Sequence, residues 1–225
     1  MAIICRYGVF AVRYFIKIDV SLRLANTKIT MSEFQLYFQQ GLYHVLDIYA
    51  YDHILFIVAL TVPYVFKDWK NVLLLVTLFT IGHSMSLILS VYDIIHVNGR
   101  LVEFLIPVTI LITALYNIFR ANKSGKKESV NFLAFTTLFF GIIHGLGFSS
   151  YFKMLVANNH DDKLLPLMEF ALGIEVAQVI IVLIVLILSW AVQTFFRFSL
   201  RDWILVTCSF VAGVVVPMII NNRIW

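Results

Sequence analysis

The sequence is short of charge. Only 13% of its 225 residues are Asp, Glu, Lys or Arg, whereas soluble domains average about a quarter. Hydrophobic residues make up 61%, and the mean hydropathy is +0.91. This balance excludes an ordinary soluble enzyme and a disordered regulator and indicates a membrane protein. At about 20 apolar residues per helical span, the length allows roughly six or seven crossings joined by short loops.

Cysteine is equally scarce, and several familiar motifs are missing. Cys5 and Cys208 lie far apart and form no CxxC pair, so neither a disulfide framework nor a thiolate metal cluster is predicted. There is no GxxxxGK[ST] motif for nucleotide binding and no HExxH or GxSxG hydrolase signature. The net charge of +4 is expected to lie in cytoplasmic loops and not to bind nucleic acid.

Long apolar segments dominate what is present, and they predict an all-α, polytopic membrane bundle of about six transmembrane helices. The first segment exceeds one span and carries polar residues through its first half, so we expect that helix to be long and either tilted, broken or partly re-entrant. The six segments are 36–66, 71–92, 101–120, 130–152, 165–192 and 203–221.

Residues 1–30 differ from the rest because basic side chains interrupt every apolar run before it reaches the length of a span. We therefore predict a basic N-terminal extension over 1–30 and a six-helix transmembrane domain over 31–225. The extension is interpreted as an amphipathic surface helix, or as a mis-assigned start with translation beginning at Met31.

The distribution of basic residues predicts the orientation. The loops after the first, third and fifth apolar segments carry the excess of Lys and Arg, and such loops stay in the cytoplasm. We therefore expect a multi-pass protein of the bacterial inner membrane with both termini in the periplasm. The basic residues of these loops are Lys67, Lys70, Arg120, Lys123, Lys126, Lys127, Arg197 and Arg201.

Ionisable residues inside the apolar segments are the strongest functional signal. Each costs at least about 2.5–3.5 kcal/mol in a bilayer, so each is a candidate site residue. When successive helices alternate in direction, these side chains converge on one half of the membrane. The predicted metal-binding residues are His44, Asp47, Asp52, His53, His83, His144 and Glu175, and the predicted second-shell or gating residues are Glu103, Ser86 and Gln178.

The spacing within the first segment makes its shape important. On one continuous helix at about 100° per residue, His53 would point away from His44. Either the segment bends between Asp47 and Asp52, or His53 faces a different helix from His44. The glycines around His144, at 141, 145 and 147, predict close packing of another helix.

Imidazoles and carboxylates without thiolates suit a divalent cation such as Ni, Co, Zn or Mn, and they disfavour Cu(I). Protonatable His and carboxylate side chains suit a proton relay equally well. Composition alone leaves both chemistries open.

Five stretches in order resemble the HupE/UreJ family of bacterial membrane proteins, in its branch of short single proteins. They are GLYHVLDIYAYDHILFIVAL, FTIGHSMSL, VEFLIPVTI, FGIIHGLGFSS and ALGIEVAQ, and they extend from about Gly41 to Gln178. The resemblance assigns the first-helix metal motif to His44, Asp52 and His53. It matches the other motifs at His83, Glu103, His144 and Glu175.

The resemblance implies a permease or binding protein for a divalent transition metal, with nickel or cobalt as the ion. It also implies the lipid bilayer as surroundings, and a second copy or metalloenzyme-maturation proteins as partners. The main alternative is an intramembrane metal-dependent hydrolase, in which His and a carboxylate hold Zn and another carboxylate acts as the base. A subunit of a larger assembly is a third interpretation.

Overall fold

The computed structural model describes residues 32–121, 130–157 and 163–224, with side chains described from residue 133 onward in the second of these ranges. All regular structure in these residues is helical. The helices are α1 (Glu33–Leu46), α2 (Asp52–Thr61), α3 (Trp69–Val91), α4 (Gly99–Arg120), α5 (Val130–Leu155), α6 (Leu164–Phe195) and α7 (Leu200–Asn221). The predicted extension over 1–30 lies outside the described residues.

Five of these helices are long and apolar enough to cross a bilayer. The spans are 66–91, which includes a 3₁₀ turn before α3, and 99–120, 133–155, 164–195 and 200–221. Exposed leucines and isoleucines line the outer face of α6, for example Leu183, Ile184 and Ile187, as expected for a surface in contact with lipid. The fold is therefore the predicted polytopic helical bundle.

The first apolar segment is broken, which is one of its three expected forms. The segment predicted as the first of six spans forms two shorter helices, α1 and the ten-residue α2. Helix α1 starts after Ser32, whose hydroxyl caps it by accepting the Gln35 N–H at 3.2 Å. After Leu46 the Asp47 carboxylate accepts the Tyr49 N–H at 2.9 Å, which favours a turn in place of a further helical turn. Helix α2 then begins at Asp52.

Three helix pairs form the frame of the bundle. Helix α3 packs along α5, α1 packs along α6, and α4 packs along α7. The pair α1 and α6 meets at Gly41 and Gly173, where a Cβ would overlap backbone carbonyl oxygens of the opposite helix. Only glycine permits this approach, and it brings the C-terminal half of α1 against the rest of the bundle.

Candidate metal centre

Four imidazoles from four helices meet in the interior. His44 is on α1, His53 on α2, His83 on α3 and His144 on α5. The ring centroids of His44 and His53 are 4.6 Å apart, those of His53 and His144 are 5.3 Å apart, and His83 lies 5.8 Å from His44 and 5.9 Å from His53. We refer to these four side chains as the imidazole cluster.

The break between α1 and α2 brings the His44 and His53 rings into contact. On a continuous helix the two would face opposite sides, whereas here their rings meet edge to face at an interplanar angle of 67°. The first of the two predicted geometries, a bend between Asp47 and Asp52, is therefore confirmed.

Close packing of α3 and α5 brings in the other two rings. At Gly82, Gly141 and Gly145 an added Cβ would overlap a backbone carbonyl oxygen of the opposite helix. No larger residue would permit so close an approach of the two helices. The contact lies beside both rings, because Gly82 precedes His83 and Gly145 follows His144 in the chain. The predicted packing role of the glycines at 141 and 145 agrees with this geometry, and Gly147 instead contacts side chains of α4.

Hydrogen bonds orient two of the rings. His53 Nδ1 lies 3.1 Å from Asp52 Oδ1, which also accepts the His53 backbone N–H at 2.8 Å. His144 Nδ1 lies 2.9 Å from the Phe140 carbonyl oxygen. Because carboxylate and carbonyl oxygens accept, each Nδ1 donates and each Nε2 is left with a lone pair. This is the arrangement in which an outer oxygen orients a metal-binding imidazole.

Five imidazole nitrogens of the cluster are buried without a hydrogen-bond partner in the described structure. They are the Nε2 atoms of His44, His53 and His144 and both ring nitrogens of His83. His53, His83 and His144 are each no more than 3% exposed. Buried polar atoms in native proteins normally have partners, so this concentration of unpartnered nitrogens calls for a ligand.

One nitrogen from each of His44, His53 and His83 lies within 4.8 Å of the other two. Two imidazoles sharing an ion at about 2.1 Å from each nitrogen are at most about 4.2 Å apart, so small side-chain rotations would bring all three onto one ion. Imidazole donors suit Ni, Co and Zn. The cluster therefore fits a single divalent transition-metal ion.

Aromatic side chains surround the imidazoles. The Phe148 ring centroid is 3.8 Å from that of His44, and Phe148 stacks on Phe170 at 5.1 Å. Phe79 and Phe56 cover His144 from the other side at 5.0 and 5.3 Å. Such a wall excludes water and lowers the local dielectric, which strengthens the interaction of a bound cation with its ligands.

The predicted carboxylates are distributed differently. Asp52 joins the cluster through His53, but Glu175 instead accepts hydroxyl hydrogen bonds from Thr77 and Thr80, each at 2.6 Å. Asp47 is used in the turn after α1. Glu103 is exposed near the start of α4, where its carbonyl oxygen accepts from Asn222.

The two predicted polar residues Ser86 and Gln178 are both fully buried. Ser86 Oγ donates to the His83 carbonyl oxygen at 2.8 Å and lies against Gly145, so it supports the α3–α5 contact beside the cluster. Gln178 Oε1 lies 3.1 Å from Thr80 Oγ1, beside Glu175.

Sequence reasoning missed Thr77 and Thr80, which hold Glu175. Their spacing contains a signal, because Thr77, Thr80 and His83 follow one another at intervals of three residues, so that each lies next to the following one on the surface of α3. It also missed the phenylalanines of the wall, since aromatic residues are common throughout an apolar chain.

Comparison with known proteins identifies one family. The family model described as HupE / UreJ protein matches residues 21–223, which is most of the chain. No curated protein and no solved structure matches.

Proposed function

Because the chain belongs to the HupE/UreJ family, we propose that it is a membrane permease. It would bind a divalent transition-metal ion at the imidazole cluster and release that ion across the bilayer. The family is associated with nickel and cobalt transport. Nickel is the proposed substrate, with cobalt next. The observation that carries the proposal is the set of buried imidazole nitrogens without partners.

A purely structural role for the four histidines is a poor alternative. Burying a polar group without a hydrogen bond costs about 1–3 kcal/mol by protein mutational data, and five such nitrogens are buried here. Polar residues that only join helices would be paired with one another. A metal ion would satisfy several of these lone pairs at once, so cation binding accounts for an arrangement that packing does not.

The side chains of the cluster and Asp52 would have different roles in binding the ion. His44, His53 and His83 would supply the first ligands, since their nitrogens already lie close together. Asp52 would hold the His53 ring in position and increase the basicity of its free nitrogen. His144 would complete the coordination or receive the ion, because its ring lies next to His53.

Transport accounts for the carboxylates better than hydrolysis does. A metal-dependent hydrolase requires a carboxylate base beside the metal-bound water. Here Asp52 is committed to His53, and Glu175 is hydrogen-bonded to two threonines of α3. We further propose that the loops with Lys67 and Lys70 and with Arg197 and Arg201 face the cytoplasm of a bacterial cell, where metalloenzyme-maturation proteins would receive the ion.

The experiment compares metal binding and uptake in matched histidine variants. Purified protein is titrated with Ni²⁺ in detergent, and cells or proteoliposomes are assayed for Ni²⁺ accumulation. His53→Ala and His144→Ala should reduce both. The control is His96→Ala, because His96 lies in an exposed loop with 77% of its side chain accessible. If neither cluster variant alters bound metal or accumulation, the proposal fails.

A further inference from the structure

A second group of polar side chains lies beside the imidazole cluster, and the atoms that face one another in it are all oxygens. Thr77 Oγ1 donates to Glu175 Oε1 and Thr80 Oγ1 to Glu175 Oε2, each at 2.6 Å. Thr80 Oγ1 also lies 3.1 Å from Gln178 Oε1 and 3.2 Å from the Val76 carbonyl oxygen. We refer to Thr77, Thr80, Glu175 and Gln178 as the oxygen group.

The oxygen group is rich in acceptors and poor in positive charge. Thr80 has one hydroxyl hydrogen but lies within hydrogen-bond distance of three oxygens, so it cannot donate to all of them. Among the described residues no basic side chain forms an ion pair with Glu175. The buried Gln178 directs its Oε1 towards Thr80, and its Nε2 has no hydrogen-bond partner in the described ranges. A cation would satisfy these oxygens together.

Position connects the oxygen group to the imidazole cluster. On α3, Thr80 is three residues from both Thr77 and His83 and so lies next to each of them on the helix surface. At 1.5 Å per residue, Thr80 is about 4.5 Å and Thr77 about 9 Å from His83 along the helix axis. Glu175 and Gln178 lie on the same helix as Phe170, which is part of the wall around His44 and His83. The oxygen group thus extends from the cluster towards the Trp69 end of α3. Lys67 and Lys70 are at that end of the helix.

The imidazole cluster and the oxygen group differ in the type of ligand atom they offer to a cation. Imidazole holds Ni²⁺ and Co²⁺ well, whereas carboxylate, carbonyl and hydroxyl oxygens are the ligands of harder cations. A single carboxylate also neutralises only half of a divalent charge, so it holds such an ion weakly. A weaker site after a tighter one favours permeation, because an ion must be able to leave each place where it binds.

Resting on the proposed function, we propose that the oxygen group is a second, weaker binding place for the transported divalent ion, separate from the imidazole cluster and lying on its route towards the Trp69 end of α3. Glu175 provides the charge, and the Thr77 and Thr80 hydroxyls and the Gln178 amide oxygen provide the neutral ligands. The ion is taken up tightly at the imidazoles and passes to oxygen ligands before release.

The test separates binding from passage in the full-length protein. Equilibrium Ni²⁺ binding is measured in detergent, and Ni²⁺ entry into proteoliposomes is followed with an enclosed metal-sensitive dye. Glu175→Gln removes the charge with little change in shape. The matched control is Glu169→Gln, the same substitution on the same helix but, at about 100° per residue, on a different side of it.

We expect Glu175→Gln to keep tight Ni²⁺ binding within about twofold, because the Glu175 carboxylate bonds, among the described residues, to Thr77 and Thr80 and to none of the four imidazoles. Entry should slow by about tenfold or more, the range in which loss of a supporting carboxylate acts at metal sites. Thr80→Val should slow entry in the same way and provides a second variant if Glu175→Gln does not fold. Its control is Thr113→Val on α4, whose hydroxyl bonds, within the described part of the chain, only to the Thr109 carbonyl oxygen.

Three results would overturn the inference. Unchanged entry in Glu175→Gln would make the group structural. A parallel loss of tight binding would make Glu175 part of the imidazole site. A slowing seen only under an imposed pH gradient would make it a proton relay. Failure of the unaltered protein to bind or admit Ni²⁺ would instead reject the proposed function itself, so the two failures are distinguishable.

Discussion

His44 and His53 are nine residues apart in the chain, yet their rings meet edge to face with centroids 4.6 Å apart. The contact exists because α1 ends at Leu46 and α2 begins anew at Asp52. Short helices separated by a turn can direct two side chains of one segment to the same point, as discontinuous helices do at transporter binding sites.

Asp52→Asn should weaken Ni²⁺ binding about 10–100-fold, the usual effect of removing a carboxylate that orients a ligating imidazole. The side chain remains able to accept the His53 N–H, so the start of α2 should persist. Calorimetric titration of the purified variant measures the change. Asp47→Asn is the control, since its amide oxygen can still accept from Tyr49, and equal losses in both variants would contradict an orienting role for Asp52.

His83→Phe should separate stability from binding. Neither ring nitrogen of His83 has a hydrogen-bond partner among the residues that the structure describes, so an apolar ring of similar shape should leave the metal-free protein at least as stable. Ni²⁺ at 100 times its dissociation constant should stabilise the unaltered protein by about 2.7 kcal/mol and the variant far less. Thermal unfolding in detergent with and without Ni²⁺ checks both parts. His96→Ala should retain the full Ni²⁺ effect, and an unfolded His83→Phe protein would show that the imidazole is structural.

Gly141→Ala should destabilise the protein by about 1–3 kcal/mol, because its Cβ would overlap the Phe79 carbonyl oxygen and push α3 from α5. Gly213→Ala on α7 is the matched control. A Cβ there meets no atom within 4 Å, so the better helix propensity of alanine should leave stability equal or slightly raised. Unfolding by heat or denaturing detergent measures both variants, and equal stabilities would show that the α3–α5 contact tolerates a methyl group.

A pH-dependent ion pair joins the chain segment after α3 to the end of α5. Lys153 Nζ lies 2.6 Å from Asp93 Oδ1, and this hydrogen bond lowers the pKa of the Asp93 carboxyl from its usual value. A lowered pKa in the folded state adds stability above the unfolded value of about 3.9, and that stability is lost as pH falls through the folded pKa.

Asp93→Asn should therefore lower the melting temperature slightly at pH 7, because an exposed pair contributes little. The difference from the unaltered protein should begin to shrink as the pH falls below about 4, and it should vanish below the lowered pKa of the folded-state carboxyl. Melting curves over a pH series measure it, with Asp202→Asn as a carboxylate control near the opposite end of the bundle. A difference that stays constant with pH would mean that charge is not its origin.

Much of the architecture follows from composition and hydropathy. The apolar runs predicted the long helices to within a few residues at most ends, since the bilayer imposes a length and the backbone must satisfy its own hydrogen bonds. The cost of burying ionisable groups also singled out His44, His53, His83 and His144. The angle between His44 and His53 on an ideal helix predicted the bend as one of two possibilities.

Only the tertiary structure decided which polar residues meet. Depth in the membrane grouped Glu103, Asp47 and Glu175 with the histidines, but the azimuth of each helix and the path of the turn after α1 are set by packing, here by glycine contacts between α3 and α5 and between α1 and α6. Glu103 is consequently exposed, Asp47 shapes a turn, and Glu175 faces Thr77 and Thr80. Sequence periodicity describes one helix at a time, whereas a site between helices depends on how they rotate against one another.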